Sequence, residues 1–168
     1  DLLDLLPKDY LDLSKPSDTI HFNEPRLYQA ILKRFTLRRL HNKRSLISLS
    51  VRCCDHLCTI SLFNQSYLEK SLKAGTLLTF HGKAQRYRET IGFTQPLILA
   101  PDHPACMPRY RSIGPLSSDW IHRRIILALN GVKRVGDDIP EELRSRNRIP
   151  ERLNSWQAVH QPVHFTTA

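Results

Sequence analysis

The sequence has few glycines, one methionine and no long apolar run. Nothing in it approaches the ~20 consecutive apolar residues that a membrane-spanning helix needs. No basic-then-apolar leader stands at the start. The six glycines are Gly75, Gly82, Gly92, Gly114, Gly131 and Gly136, and they are too scattered to cradle a phosphate. The Gly82-Lys83 pair is followed by Ala84, and Leu77 stands where the first glycine of a phosphate loop belongs. There is no G-x-G-x-x-G, no G-x-S-x-G elbow and no H-E-x-x-H. Eight histidines are present, but no spacing groups them with a nucleophile and a carboxylate. Nucleotide hydrolysis and the commoner hydrolase chemistries therefore find no motif here, and no catalytic residue is assigned.

Disulfides are not expected either. Of four cysteines, Cys53, Cys54 and Cys58 are crowded together and Cys106 stands apart. Such a set reads as reduced thiols. Cys54, His56 and Cys58 have the chemistry of metal ligands, but no second pair follows at zinc-finger spacing. The plainer expectation puts Cys53 and Cys58 in a core, puts Cys54 and His56 in a turn, and assigns no metal site.

What the chain does have is positive charge in one place. Its 168 residues are 40% hydrophobic and 24% charged, enough for a core in one domain with an extension. The net charge is +9. Residues 1–24 hold two basic and six acidic residues, residues 25–100 hold thirteen and three, and residues 101–168 hold ten and seven. The middle segment, at net +10, is the expected surface for an anionic partner, nucleic acid first. The chain begins at Asp1 without a methionine, so a piece of a longer protein is expected.

The same middle segment carries strand patterns. Arg26–Phe35 places Tyr28, Ala30 and Leu32 at alternate positions, and Ser45–Cys53 alternates Ile47, Leu49 and Val51 with Leu46, Ser48 and Ser50. Leu37–Arg44 is dense in charge and reads as a loop. Cys58–Phe63 is a third strand after a turn. Asn64–Lys73 changes to helical spacing, with Ser66 and Glu69 as a capping box and Gly75 as its stop. Thr76–Tyr87 and Gly92–Leu99 are the last two strands, with Gly82 expected at a bend in the first of them and Arg86–Ile91 as the turn between them. Three strands, a short helix and two strands is the element order of an OB-fold, a five-stranded barrel whose helix lies between strands three and four. Residues 1–24 read as a connecting segment and 25–100 as the barrel. Residues 101–168 read as a proline-bearing linker followed by short helices at Trp120–Leu129, Glu141–Arg146 and Pro150–Val159. Ser117 or Ser118 is a cap for the first of these.

On such a barrel the two charged loops would flank a nucleic-acid groove. Arg38, Arg39, Lys43 and Arg44 lie in the first loop, and Arg86 and Arg88 in the turn between strands four and five, all placed to neutralise phosphates. Phe63 and Tyr67 bracket the point where a strand leaves the barrel. Either both are core residues or both present faces that stack on unpaired bases. Asn64 and Gln65 between them argue for an exposed, supporting corner.

Four stretches, taken in order, resemble the N-terminal wedge domain of the RecG family of branch-migrating DNA helicases. They are Leu5-Leu6-Pro7-Lys8-Asp9-Tyr10-Leu11-Asp12; Phe63-Asn64-Gln65-Ser66-Tyr67-Leu68 with Leu72-Lys73-Ala74-Gly75; Tyr110 through Leu116-Ser117; and Ile139-Pro140-Glu141-Glu142-Leu143-Arg144 with Ala158-Val159-His160. The chain departs from that family at Gln95-Pro96-Leu97, where His-Pro-Glu is usual, and at Pro115. The resemblance implies a wedge that splits strands at a stalled replication fork or Holliday junction, with Phe63 and Tyr67 stacking on bases at the branch. It implies motor domains elsewhere in a parent protein, using ATP and Mg, in a bacterial, cytoplasmic and nucleoid-associated monomer. Branched DNA would be the main partner, single-stranded DNA a weaker one, and membranes none. An OB-fold that docks a protein, or one that binds single strands generally, remains open on the residues alone.

Overall fold

The computed structural model describes residues 2–40, 44–132 and 135–163. In chain order its strands are β1 (Asp9–Asp12), β2 (Pro25–Arg39), β3 (Ser45–Cys53), β4 (His56–Phe63), β5 (Leu77–Tyr87), β6 (Thr90–Thr94), β7 (Leu97–Leu99) and β8 (Cys106–Arg109). Helices α1 (Ser118–Gly131), α2 (Glu141–Asn147) and α3 (Arg152–His160) follow. Short 3-10 helices stand at Leu2–Asp4 and Ser66–Ser71. The chain is mainly β with a helical C-terminal part. It forms two compact units, one of Lys15–His103 and one of Asp1–Ser14 with Pro104–Ala168.

The larger unit is built on the period-two pattern. In β3, Ile47, Leu49, Val51 and Cys53 are buried, while Ser48, Ser50 and Arg52 alternate on the other face. In β4, Cys58, Ile60 and Leu62 do the same. At the centre are the rings of Tyr28, Phe80 and Phe93, fully buried, with centroids 4.9, 5.2 and 5.8 Å apart. Such tilted and edge-on contacts add to the burial of the rings themselves.

The pairings in this unit return on themselves. β2 is antiparallel to β3, β3 to β4, β5 to β6 and β2 to β5, while β4 runs parallel to β6. Each of these five strands has partners on both sides, and β7 adds to β5. β2 makes this possible because it is long and its register with β3 shifts between Leu32 and Arg34. The extra residue turns the strand, so its first half serves β5 and its second half serves β3.

Four local expectations are corrected. The first charged segment is strand as far as Arg39, which pairs with Ser45, because Leu37 packs on the core while the arginines point outward. Gly92–Leu99 is two strands, since Gln95 takes φ 50° ahead of Pro96, which has no N–H for the ladder. The capping box does not form: Ser66 is the first residue of a 3-10 helix, and its cap, Gln65, makes no side-chain capping bond. Gly82 lies within β5, not at a bend; a Cβ there would sit 2.7 Å from Pro96 Cβ, so residue 82 must be small for β7 to close down. The cysteines follow expectation, with Cys53 and Cys58 buried, Cys54 in the turn and all four thiols free. His56 is the first residue of β4 and exposed.

The smaller unit begins with an unexpected pair. β1 and β8, read from sequence as connection and linker, are antiparallel partners. Pro108 is tolerated because a two-stranded ribbon leaves one side of each strand unbonded. Arg109 clamps Asp9 across it with two bonds of 2.6 Å, which holds the Asp9 carboxyl below its ordinary pKa. α1 is capped as expected, Ser117 Oγ accepting from Trp120 N–H at 3.2 Å. Its Ile121, Ile125 and Leu129, four apart, are buried with Leu3 and Tyr110. His160, on α3, is 1% exposed. Its Nε2 lies 2.9 Å from the Leu3 carbonyl, which can only accept, so Nδ1 accepts from the Tyr110 hydroxyl at 2.7 Å. His122 is less well served: its Nδ1 is buried and has no partner among the described residues.

Two outcomes follow from this packing. Gly82→Ala should destabilise the chain by about 1–3 kcal/mol, the usual range for overpacking, measured by urea unfolding. Burial pushes the His122 pKa below its ordinary 6.5, with Asp119 opposing. The folded state therefore binds this proton more weakly than the unfolded chain. The stabilising contribution is complete above 6.5 and is lost as the pH falls below it. The thermal midpoint should drop on acidification through that value, and His122→Leu should reduce the drop.

Candidate nucleic-acid interface

The corner after β4 is built by side chains gripping backbone. Phe63, the last residue of β4, pairs with Leu46. Asn64 takes φ 56°, a left-handed conformation that asparagine tolerates. Its N–H donates to the Ser45 carbonyl at 2.8 Å, and Ser45 N–H donates to Asn64 Oδ1 at 3.2 Å. On the other side stands Gln95, whose backbone N–H donates to the Ser61 carbonyl at 2.9 Å. Gln95 Oε1 accepts from Phe63 N–H at 3.0 Å, and Gln95 Nε2 donates to the Phe63 carbonyl at 3.3 Å. Gln65 Nε2 also reaches Gln95 Oε1, at 3.4 Å.

Phe63 is 39% exposed and Tyr67 is 71% exposed, and neither belongs to the buried core. Leu68 of the 3-10 helix and Leu72 just after it pack on the core instead. Of the two supporting corner residues, Asn64 holds backbone through Ser45 N–H, while Gln65 reaches the Gln95 side chain. Gln95 was missed as a positioning residue. The signal available in sequence was its place immediately before Pro96, where the chain has to leave one strand and start another.

The basic residues fall at two ends of the sheet. Arg38 pairs with Leu46, and Leu46 with Phe63, so these three residues form one row across β2, β3 and β4. Two strand spacings put Arg38 and Phe63 backbones ~10 Å apart. Arg39 and Arg44 sit at the same end, where Leu40 N–H donates to the Arg44 carbonyl at 2.8 Å. Lys43 lies outside the described residues. Arg86, within β5, and Arg88, at φ 54° in the turn, belong to the other end. Arg86 pairs with Ile91, and Ile91 with Cys58, five residues before Phe63 on β4, or ~17 Å along the strand. Among the described residues no carboxylate forms an ion pair with Arg38, Arg39, Arg44, Arg86 or Arg88. Nor do the described residues include a group of three or more side chains able to hold a metal ion.

Gln95→Ala should leave the sheet intact but free Phe63. About 1 kcal/mol of stability should be lost, as for an exposed hydrogen-bonded group. Amide hydrogen exchange at Phe63 should speed up selectively, while Ser61 and Leu62 stay protected.

Comparison with known proteins bears on this geometry. No family model matches the chain. It is 29% identical over 123 residues to the ATP-dependent DNA helicase RecG of Bacillus subtilis (strain 168), a match covering 71% of this chain and 18% of that protein. Its fold is similar to part of a solved structure of RecG bound to a three-way DNA junction. There the TM-score is 0.75 at 17% identity, over 98% of this chain and 24% of that one. The chain thus spans less than a quarter of the length of either relative, and the RecG resemblance carried by its ordered motifs is matched independently in sequence and in fold.

Proposed function

We propose that this chain is the junction-binding wedge of a longer ATP-dependent DNA helicase acting in recombination and repair. The observation that carries the reading is the corner at Phe63 and Tyr67. Phe63 stands exposed at the end of a strand, held by Gln95 next to an Asn64 that is bonded to Ser45, with Arg38 in the same row and exposed Tyr67 four residues on in the 3-10 helix. On this reading the closed circuit of five strands is an OB-type barrel, with the 3-10 helix in the place of the helix between its third and fourth strands. Residues 25–100 are the wedge domain; 1–24 and 101–168 connect it to the rest of the parent protein. ATP and Mg belong to motor domains outside this chain.

The chemistry is positioning, with no bond made or broken here. Arg38, Arg39, Lys43 and Arg44 neutralise phosphates beside the corner, and Arg86 and Arg88 do so at the far end of the sheet. These contacts read no sequence. Phe63 and Tyr67 stack on the bases exposed where duplex arms meet. A branch is the cheapest place to unstack DNA, so preference comes from shape and deformability. The motors pull, and the fixed corner keeps the separated strands apart.

The test is fluorescence anisotropy with a three-way fork, a matched duplex and a single strand at one salt concentration. The fork should bind most tightly. Phe63→Ala with Tyr67→Ala should weaken fork binding by about 1–3 kcal/mol for each lost stack and duplex binding much less. Equal losses on fork and duplex would overturn the reading. Binding of no DNA at all would favour a protein-docking role, and preference for the single strand a general single-strand binder.

A further inference from the structure

The far end of the sheet holds a second aromatic site. Phe22, Asn23, Gln85, Arg86 and Tyr87 line an open cleft of about 540 Å3. Tyr87 ends β5 and is 52% exposed, yet it is not loose. Its hydroxyl donates to Gln85 Oε1 at 2.5 Å and lies 3.5 Å from Thr94 Oγ1. Its ring rests against Gly92: a Cβ there would lie 3.0 Å from two of the ring carbons. The absence of a side chain at residue 92 is what lets the ring lie on the sheet. One side of the ring is therefore backed by β6, its polar tip is tethered, and half of the residue is left to solvent.

Phe22 is held beside it through its backbone neighbours. It bridges Ala84, the next residue's N–H donates to the Ala84 carbonyl at 3.0 Å, and the preceding residue's N–H donates to the Tyr28 hydroxyl at 3.1 Å. The Arg86 guanidinium lies over the Phe22 ring, 5.0 Å from its centroid. Lys83, Arg86 and Arg88 have one carboxylate near them in sequence, Glu89, and Glu24 is taken up by Arg26 at 3.0 Å. A preorganised aromatic face among cations, in a cleft open to solvent, is the chemistry that takes a nucleobase together with its phosphate.

We propose that Tyr87, backed by Gly92 and flanked by Phe22 and Arg86, is a second stacking site that takes an unpaired base from a single-stranded arm leaving the junction. This rests on the wedge reading and extends it. From Phe63 it is ~17 Å along β4 to Cys58 and two strand spacings, ~10 Å, across to β5, which makes ~20 Å and corresponds to roughly six stacked nucleotides at ~3.4 Å per step. One strand split at Phe63 would then run to Tyr87 and be anchored there.

The experiment measures anisotropy of the whole chain with a fork whose arms are all duplex and with the same fork carrying single-stranded tails of increasing length. The tail should add roughly 5- to 150-fold in affinity, the range for one stacked base, once it reaches roughly six nucleotides. Tyr87→Leu and Phe22→Leu should abolish that gain and leave the all-duplex fork unchanged, while Tyr87→Phe should retain most of it. Phe63→Ala with Tyr67→Ala should weaken both forks and leave their ratio intact. A tail that adds nothing, or a gain that survives Tyr87→Leu, would overturn the second site while leaving the wedge standing. A wild-type chain that does not prefer the fork over duplex would overturn the wedge reading itself, whatever Tyr87→Leu does.

Discussion

The larger unit depends on one strand serving two neighbours. β2 has fifteen residues and pairs along its first half with β5 and along its second half with β3. Without the register shift after Leu32, the strand would continue straight and the circuit of pairings would stay open. Closing it removes the exposed edges that a flat sheet would offer to other chains. It also encloses Tyr28, Phe80 and Phe93, whose packing leaves little freedom in how the strands cross.

The surface inherits its geometry from that closure. Strand ends that would otherwise be loop are set in rows, so Arg38, Leu46 and Phe63 line up across three strands. The corner beyond Phe63 is held by amide side chains bonded to backbone, because neither Asn64 nor Gln95 sits in the ordinary strand conformation. Among the described residues, Arg38, Arg39, Arg44, Arg86 and Arg88, at the two ends of the sheet, form no ion pair with a carboxylate. A protein that must grip phosphates gains from this arrangement, since an arginine already matched to a carboxylate would have to give up that partner first.

In the smaller unit, residues of the RecG-like stretches, together with Arg109 just before one of them, act on one another. Tyr10 donates its hydroxyl to the Val159 carbonyl at 3.1 Å, Asp9 holds Arg109, and Tyr110 bonds His160. Three stretches far apart in sequence thus fasten one small structure. Of these bonds Tyr110–His160 is buried, and it gives both polar groups a partner, a structural role independent of DNA.

Much of the local structure was legible in sequence. The alternation in Ser45–Cys53 and Cys58–Phe63, the cap at Ser117 and the buried Cys53 and Cys58 all follow from period and residue type, whereas residue type left Phe63 and Tyr67 open between core and surface. What was not legible depends on partners distant along the chain. β1 and β8 carry too few apolar residues to announce themselves, and each is a strand because the other is there. The basic segment after Phe35 is strand because Ser45–Cys53 pairs with it, whatever its charge density suggests. Gln95 holds Phe63 across 32 positions, and Gly92 matters because Tyr87 lies on it. The sequence by itself determined which segments pleat, which faces are apolar and where the positive charge collects. Only the tertiary structure decided which strand ends meet, because hydrogen-bonded pairing and close packing are settled between residues that sequence distance keeps apart.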